Sequence, residues 1–259
     1  MPVRCNILIC GGTACLSSDS EKVIRNFELI IKAKGYDGEV RIIRTGCFGF
    51  CEQGPIVKIE PDNVFYVKVG PKDVKEIVEE HIIKGRIVQR LLYIEPIKQE
   101  KMTRHEEMPF YQKQMRVALR NCGLINPEDI GEYIAMGGYE ALGRVLTTMT
   151  PEQVIGIIKD SGLRGRGGGG FPTGLKWEIT RASAGDEKYM ICNADEGDPG
   201  AFMDRSILEG DPQGIIEAMA IAGYAVGANK GIIYIRAEYP LAIERLKTAI
   251  KQAREQGLL

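Results

Sequence analysis

Four cysteines near the N-terminus form two close pairs, Cys10 with Cys15 and Cys47 with Cys51, at the spacings C-x4-C and C-x3-C. Thiolates are soft ligands, and two loops that each supply two thiolates can hold zinc or an iron–sulfur cluster. Structural zinc sites usually use C-x2-C pairs, and a redox dithiol would be a lone C-x-x-C. The longer spacings favour a [2Fe–2S] cluster, with zinc or unligated cysteines as alternatives.

A glycine-rich loop is the second candidate site. Gly165 to Gly170 satisfies G-x-G-x-x-G, but a dinucleotide fingerprint follows a strand, whereas this loop follows a predicted helix. The flanking Leu163, Phe171 and Trp177 are too apolar for a flexible linker. We interpret the loop as one side of a binding site, where the backbone lies against a flat or anionic ligand. Three nearby side chains could supply positive charge: Arg164, Arg166 and Lys176.

An acidic turn from Asn193 to Gly200 directly follows a predicted strand. A calcium or magnesium loop would need more carbonyl or carboxylate ligands than this segment clearly supplies. An exposed, solvated turn is one interpretation. The other is a site for a ligand with hydroxyl groups, such as a ribityl chain or a ribose, which would donate hydrogen bonds to these carboxylates.

The elements that position the cysteines can be predicted from hydrophobic periodicity and turn residues. A capping box of Ser18 and Glu21 should begin the first helix. The order β-α-β-β-β-α predicts a small α/β sandwich that resembles thioredoxin, with both cysteine pairs after strands at one end of the sheet. The predicted elements are a strand over 3–9, a helix over 19–34, a strand over 39–44, a hairpin of 55–60 with 63–69, and a helix over 71–84.

The second half of the chain reads as alternating helices and strands. Helix starts are predicted at Pro127 and Thr150, and the glycine-rich loop follows the helix over 151–159. The charged segment 86–112 shows no sustained period and is predicted to be a linker, or an arm docked on a partner. The remaining predicted elements are a strand over 188–192, a helix over 213–227, a strand over 231–236 and a helix over 240–256. We therefore predict domains over 1–85 and 113–259.

Composition limits the possible partners and the compartment. The net charge is -1, with 34 basic and 35 acidic residues, and no basic stripe suggests nucleic acid. The most apolar run, 218–228, is too short to span a bilayer, and residues 1–5 lack the long apolar stretch that is typical of a signal peptide. We expect a cytoplasmic protein without membrane insertion. In that reducing compartment, the seven cysteines indicate metal ligands or buried thiols rather than disulfides.

Five further residues receive plain structural interpretations. We expect Cys5, Cys122 and Cys192 to be small buried side chains, because none has a partner at ligand spacing. We expect His81 and His105 to lie on the surface, outside the motifs.

The cysteine motifs resemble a known family. Cys10-Gly-Gly-Thr-Ala-Cys15 and Gly46-Cys47-Phe-Gly-Phe-Cys51-Glu-Gln-Gly-Pro55 are similar to the thioredoxin-like [2Fe–2S] ferredoxins of respiratory complex I and soluble NAD-linked hydrogenases. The resemblance covers the first 85 residues. It implies one cluster ligand at each of Cys10, Cys15, Cys47 and Cys51.

The later motifs resemble the FMN- and NADH-binding flavoprotein subunit of the same enzymes. The similar segments are 162–177 and 192–200, followed by Asp204-Arg205. From about Pro109 onward the resemblance implies the first part of an α/β FMN- and NADH-binding domain, incomplete at its C-terminus. The residues expected to line FMN are Gly165, Arg166, Gly167, Lys176, Asn193, Asp195 and Glu196. Phe171 would stack on the NADH adenine, and Gly168, Lys176 and Asp198 would lie near the nicotinamide.

Three positions depart from the family pattern. Ile179 stands where relatives often carry a second aromatic for the adenine, which should weaken the stacking by about 1 kcal/mol. Asp198 stands where many relatives have the longer Glu, and Gly169 is commonly Ala.

The resemblance implies an NAD(P)H dehydrogenase (diaphorase) subunit without a catalytic side chain of its own. It would take a hydride from NAD(P)H onto FMN and pass single electrons to iron–sulfur clusters. Fusion of the two domains favours a soluble NAD(P)-linked iron-only hydrogenase beta subunit, bifurcating or not. The alternatives are a complex I or NAD-linked formate dehydrogenase diaphorase, or a non-catalytic [2Fe–2S] electron-relay module.

The resemblance also implies cofactors and partners beyond this chain. Relatives continue into a domain with a [4Fe–4S] cluster, which we expect to be the first acceptor of the flavin's electrons. The [2Fe–2S] cluster would then be a further relay or branch. The expected partners are an iron–sulfur or hydrogenase catalytic subunit and a small ferredoxin-like subunit, in a hetero-oligomer.

Overall fold

A computed structural model describes residues 2–198 and 200–259 of the chain. They divide into two compact units. The first contains the residues up to Pro127 together with Glu209–Asp211, and the second contains Glu128–Leu208 and Pro212–Leu259. Among the described helices, none is long and apolar enough to cross a membrane.

The first unit is built on a four-stranded sheet in the order β2-β1-β3-β4. β1 pairs in parallel with β2 and antiparallel with β3, and β3 forms the predicted antiparallel hairpin with β4. The predicted order of strands and helices is confirmed, with a short helix α1 added after β1. The elements are β1 Cys5–Cys10, α1 Thr13–Ser17, α2 Ser20–Ala33, β2 Val40–Thr45, β3 Val57–Glu60, β4 Val64–Tyr66 and α3 Val74–Glu76, which continues as a π-helix over Ile77–Ile83.

The predicted capping box at the start of α2 is wrong. The N-cap is Asp19, which adopts a left-handed conformation with φ of 69° and forms no side-chain cap hydrogen bond. The Ser18 hydroxyl instead donates to the carbonyl of Ala14 at 3.2 Å, because the added helix α1 ends there. The sequence pattern could not indicate this competition between two adjacent helix termini.

The core of the first unit follows from strand alternation, because successive side chains of a strand point to opposite faces of the sheet. Ile7 and Ile9 of β1 pack with the apolar face of α2, including Val23 and Phe27. Leu8 belongs to a second cluster that also contains residues from later in the chain.

The segment 86–112, predicted as a linker or partner-bound arm, lies within the first unit. It forms a small antiparallel pair, β5 Tyr93–Ile94 with β6 Lys101–Met102, and the short helix α4 Pro109–Gln112. Met108 and Tyr111 are buried in the second apolar cluster with Phe48 and Phe65. The apolar second face of the sheet needs such a cover, which explains why this segment packs onto its own unit. The boundaries predicted at 85 and 113 stay predictions.

His81 is buried rather than exposed, with 3% of its surface accessible, so its predicted surface position is wrong. The amide of Val88 donates to the Tyr66 hydroxyl at 3.0 Å, and this hydroxyl lies 2.8 Å from His81 Nδ1. His81 Nε2 lies 3.0 Å from Asp62 Oδ2. A neutral His81 that carries its proton on Nε2 satisfies the whole chain, with the Tyr66 hydroxyl as donor to Nδ1. His105 is also mostly buried and stacks on Phe65, with ring centroids 5.3 Å apart.

The second unit contains a parallel pair of strands, β7 Tyr189–Ala194 and β8 Lys230–Ile235, and seven helices of the described chain have residues in it. One face of the pair packs against helices through Ala194, Ile233 and Leu246. On the other face, Ile191 and Tyr234 are 60% and 61% exposed. The helices are α5 Ile130–Ala135, α6 Glu140–Thr148, α7 Pro151–Asp160, α8 Thr173–Ala182, α9 Met203–Gly210, α10 Pro212–Val226 and α11 Pro240–Glu255. The strands and helices predicted after residue 150 agree with these bounds within two residues.

Glu217 of α10 forms hydrogen bonds to two other helices of the second unit. Its buried carboxylate accepts hydrogen bonds from the Tyr133 hydroxyl at 2.5 Å and from the amides of Tyr139 and Leu142 at 2.9 and 3.1 Å. Tyr139 is the N-cap of α6 and has no side-chain cap bond of its own. A carboxylate from another helix therefore caps α6, satisfying amides that would otherwise lack acceptors.

His81→Gln should change how stability depends on pH. Burial lowers the pKa of His81 below its ordinary value, with Asp62 opposing, so the folded chain binds this proton less readily than the unfolded chain. The free energy of unfolding should therefore fall as the pH decreases through about 6.5, and this part of the fall should vanish in the variant. The variant should also lose about 1–3 kcal/mol at neutral pH, because the Tyr66 hydroxyl and Asp62 lose their partner.

Urea unfolding of both proteins at several pH values between about 5 and 8 would measure this difference. The pKa of His105 is also lowered by burial, but that group is present in both proteins and cancels in the comparison. Equal slopes of stability against pH would contradict the neutral state of His81.

Glu217→Gln should loosen the second unit, because an amide NH2 would face groups that are themselves donors. We expect a loss of about 1–3 kcal/mol. Native-state hydrogen exchange at the amides of Tyr139 and Leu142 would measure it locally. Glu244→Gln, the same change at an exposed position of α11, is the matched control. Unchanged protection in Glu217→Gln would contradict the capping role.

Candidate functional site

The parallel pairing of β1 with β2 brings the two cysteine motifs together. Cys10 is the last residue of β1 and pairs in register with Thr45, the last residue of β2. Cys15 follows in α1, while Cys47 and Cys51 lie in the loop after β2. Both loops therefore leave the same edge of the sheet, as the sequence predicted.

The four thiols lie in one cluster. The Cys10 thiol is within hydrogen-bond reach of the thiols of both Cys15 and Cys47. Cys47 Sγ lies 3.9 Å from Cys51 Sγ. Cys51 is half-buried and the other three are buried. The two pairs thus form a continuous group of four sulfurs.

The surroundings favour thiolates at two of the four positions. Hydrogen bonds from the thiols of Cys10 and Cys51 lower the pKa of Cys47, and the amide of Gly49 adds a hydrogen bond at 3.3 Å. The pKa of Cys15 is also lowered, through Cys10 and then a backbone hydrogen bond from Ile56. Cys10 has a raised pKa, because its hydrogen bonds with Cys15 and Cys47 favour the protonated thiol and because the side chain is buried. Backbone N–H donors of this kind also stabilise metal-bound thiolates.

Two glycines lie so close to the cysteine side chains that a larger residue would contact them. A Cβ atom on Gly54 would lie 2.7 Å from Cys15 Sγ, and one on Gly12 would lie 3.2 Å from Cys47 Cβ. The backbone of Gly54 has φ of -71°, which any residue can adopt. The contact with the sulfur, rather than the backbone conformation, therefore explains the glycine at position 54.

The four thiols supply the donor set of a [2Fe–2S] cluster. Within residues 2–198 and 200–259, no group of three or more His, Cys, Asp or Glu side chains is arranged to hold a single metal ion. A [2Fe–2S] cluster places different demands on its ligands, because its two irons share four thiolates between them. Four converging thiols with nearby N–H donors match that donor set.

Residues beyond the cysteine motifs hold the second cysteine loop in place, and the sequence patterns did not predict them. The buried Tyr111 hydroxyl donates to the Phe48 carbonyl at 3.0 Å. Arg116 Nη2 donates to the Cys47 carbonyl at 3.2 Å, and Nη1 donates to the Cys122 carbonyl at 3.4 Å. Neither residue lies at a spacing that links it to a cysteine motif, so only folding could bring them together.

The glycine-rich loop is closed at its base and open at its tip. The amide of Gly165 donates to the Phe171 carbonyl at 2.9 Å, and Arg164 Nη1 donates to the Gly170 carbonyl at 2.7 Å. Gly168 has φ of +95°, which favours glycine. Added Cβ atoms on three consecutive residues would meet no atom within 4 Å, namely on Gly167, Gly168 and Gly169. These glycines serve no packing need within the described chain, which leaves their backbone free for a ligand.

The basic residues near the loop fall into two groups. Arg164 is engaged with the loop carbonyl. Arg166 and Lys176 are exposed, and no ion pair joins either to another residue of the described chain. Gly174, between the loop and Lys176, is buried against α7. A Cβ atom there would lie 2.6 Å from the Lys159 amide nitrogen, so the contact between the helices requires glycine. The motif thus contains one glycine that is needed for helix packing, and two exposed basic side chains that a ligand could contact.

The acidic turn after β7 also contains two kinds of residue. Glu196 is buried, and its carboxylate accepts hydrogen bonds from the amides of Asp204 and Arg205 at 3.0 and 3.2 Å, at the start of α9. The Tyr239 hydroxyl donates to the same carboxylate at 3.2 Å. The exposed members are Asn193, Asp195 and Asp198, while Pro199 lies outside the described residues. The carboxylate of Glu196 therefore caps a helix, and its predicted contact with FMN stays a prediction.

Comparison with protein families gives two matches. The thioredoxin-like [2Fe-2S] ferredoxin family matches residues 2–81, and the Nuo51 FMN-binding domain matches residues 158–258. The crystal structure of the thioredoxin-like [2Fe-2S] ferredoxin from Aquifex aeolicus is 33% identical, with 34% of this chain and 95% of that chain covered and a TM-score of 0.32.

Two curated relatives extend the comparison. The NADP-reducing hydrogenase subunit HndC of Solidesulfovibrio fructosivorans is 65% identical over 147 residues, covering 57% of this chain and 30% of that protein. The NAD-reducing hydrogenase HoxS subunit alpha of Cupriavidus necator is 51% identical over 111 residues, covering 43% of this chain and 18% of that protein. The matched regions span less than a third of the length of these relatives. Residues 2–81 therefore match the thioredoxin-like [2Fe-2S] ferredoxin family, and residues 158–258 match the Nuo51 FMN-binding domain family.

Proposed function

We propose that the first unit carries a [2Fe–2S] cluster whose ligands are Cys10, Cys15, Cys47 and Cys51. The observation that carries this proposal is the convergence of four thiols from two loops, with amide donors at the sulfurs and glycines that leave room beside them. No disulfide joins any of the seven cysteines, all of which lie within the described residues, as ligation and a reducing compartment require. We therefore also propose that the chain works in the cytoplasm.

We further propose that the second unit binds FMN and NAD(P)H. The open tip of the glycine-rich loop and the available cations support this proposal, because backbone N–H groups and positive charge suit a flavin phosphate and a dinucleotide. The proposed ligand contacts are Gly165, Arg166, Gly167, Gly168, Phe171, Lys176, Asn193, Asp195, Glu196 and Asp198. When bound, FMN supplies the conversion from two-electron to one-electron transfer, and the cluster accepts single electrons. The chain binds and orients these groups.

The function that fits both sites is that of an NAD(P)H-oxidising diaphorase subunit in a hetero-oligomer. HndC, the relative with 65% identity, is a subunit of an NADP-reducing hydrogenase, which favours a hydrogenase-type assembly. The proposed partners are an iron–sulfur or hydrogenase catalytic subunit and a small ferredoxin-like subunit.

The visible spectrum of the anaerobically purified, FMN-supplemented chain tests both proposals. A [2Fe–2S] spectrum together with flavin bands that bleach on addition of NADH is the expected result. A cluster without bound flavin would leave only an electron-relay module, and a colourless zinc protein would overturn the cluster.

Gly54→Ala should impair cluster assembly, because the added methyl group would lie 2.7 Å from Cys15 Sγ. We expect at least a several-fold lower iron and sulfide content, measured per chain after reconstitution. Gly38→Ala is the matched control, since a Cβ there meets no atom within 4 Å and the backbone conformation is permissive. Full cluster content in Gly54→Ala would show that the sulfur can move away without cost.

Phe171→Leu should raise the KM for NADH by about fivefold, which corresponds to the loss of about 1 kcal/mol of aromatic stacking. The side chain is 49% exposed, and it is therefore free to stack on a ligand. FMN affinity should stay unchanged. Steady-state reduction of an artificial acceptor by the FMN-loaded protein with its partner subunits would measure the KM, and fluorescence titration would measure the FMN affinity. Tyr234→Leu, at an exposed aromatic of β8, is the control, and equal KM values would contradict the stacking role.

A further inference from the structure

Arg116 is the cation that the fold places against the second cysteine loop. It lies 35 residues beyond the end of the matched ferredoxin region at residue 81, within the same compact unit. Its guanidinium donates to the carbonyls of Cys47 and Cys122, which fixes the side chain at two points. Gly49, in the same loop, would place a Cβ atom 4.0 Å from Arg116 Nη2. The guanidinium therefore lies over the loop that carries Cys47 and Cys51.

Arg116 and the Cys47 sulfur contact the same short loop. The Cys47 carbonyl accepts a hydrogen bond from Arg116 Nη2 at 3.2 Å, and the amide of Gly49 donates to Cys47 Sγ at 3.3 Å. The positive charge therefore lies close to a ligand of the proposed cluster.

Reduction makes a cluster more negative by one unit, and the added electron is the only charge that changes. A fixed cation a few ångströms from the ligands stabilises the reduced form more than the oxidised form. The arginine side chain keeps its positive charge throughout, because a guanidinium is not deprotonated in proteins. A positive charge at this place should therefore raise the reduction potential.

We propose that Arg116 is a positioning residue that holds the Cys47–Cys51 loop through two carbonyl groups and raises the reduction potential of the cluster by its charge. This role rests on the proposed [2Fe–2S] site. By this proposal, the segment that follows the ferredoxin region helps to set the reduction potential of the cluster.

Redox titration of the full chain, followed by the EPR signal of the reduced cluster, tests the proposal. Arg116→Gln removes the charge, Arg116→Lys keeps the charge but loses the planar fork, and Lys113→Gln removes an exposed charge from the same segment. We expect Arg116→Gln to lower the equilibrium constant for reduction by about tenfold, which is about 59 mV for a one-electron couple. Arg116→Lys and Lys113→Gln should each leave the potential within about a third of that shift.

The outcomes separate this inference from the proposed function. A full cluster with an unchanged potential in Arg116→Gln, or an equal fall in Arg116→Gln and Arg116→Lys, would overturn the role of the charge. A cluster lost from Arg116→Gln but kept in Arg116→Lys would support it, and loss from both would overturn it in favour of a purely structural role. A wild-type chain without any [2Fe–2S] signal would overturn the proposed site itself.

Discussion

The parallel pairing of β1 with β2 is the constraint on which the candidate metal centre depends. Because Cys10 and Thr45 are in register at the ends of their strands, the two cysteine loops begin side by side. A shift of register by one residue would turn every side chain of a strand to the other face of the sheet. It would also move one pair of thiols away from the other. The packing of α2 on Ile7 and Ile9 maintains that register, since these side chains must stay on the α2 face.

In both units, buried polar side chains connect segments that are distant in sequence through hydrogen bonds. His81 links Asp62 to Tyr66 in the first unit, and Glu217 caps α6 in the second. Glu196 holds the start of α9 in the same way. Each of these groups would cost free energy if it were left without partners, and each is satisfied by groups that are not its neighbours in sequence. They fix the loops and helix ends on which the candidate ligand residues lie.

The glycines of the motifs serve two different purposes that sequence motifs alone do not distinguish. Gly54 and Gly174 are required by close contacts, one with a sulfur and the other with a neighbouring helix. Gly167 and Gly169 meet no atom of the described chain. The first kind supports the fold, whereas the second leaves backbone available for a ligand.

The sequence by itself determined the four strands and two main helices around the cysteines, both strands of the second unit and the candidate set of cysteine ligands, because hydrophobic periodicity and ligand spacing are local properties. The order of strands and helices, the hairpin of β3 and β4, and the convergence of both cysteine pairs were all predictable in this way. Only the tertiary structure decided the burial of His81, the packing of the segment 86–112 on its own unit, the capping role of Glu196, and the placement of Tyr111 and Arg116 on the cysteine loop. These depend on contacts between residues far apart in the chain, and neither spacing nor periodicity encodes which distant partner satisfies a buried polar group.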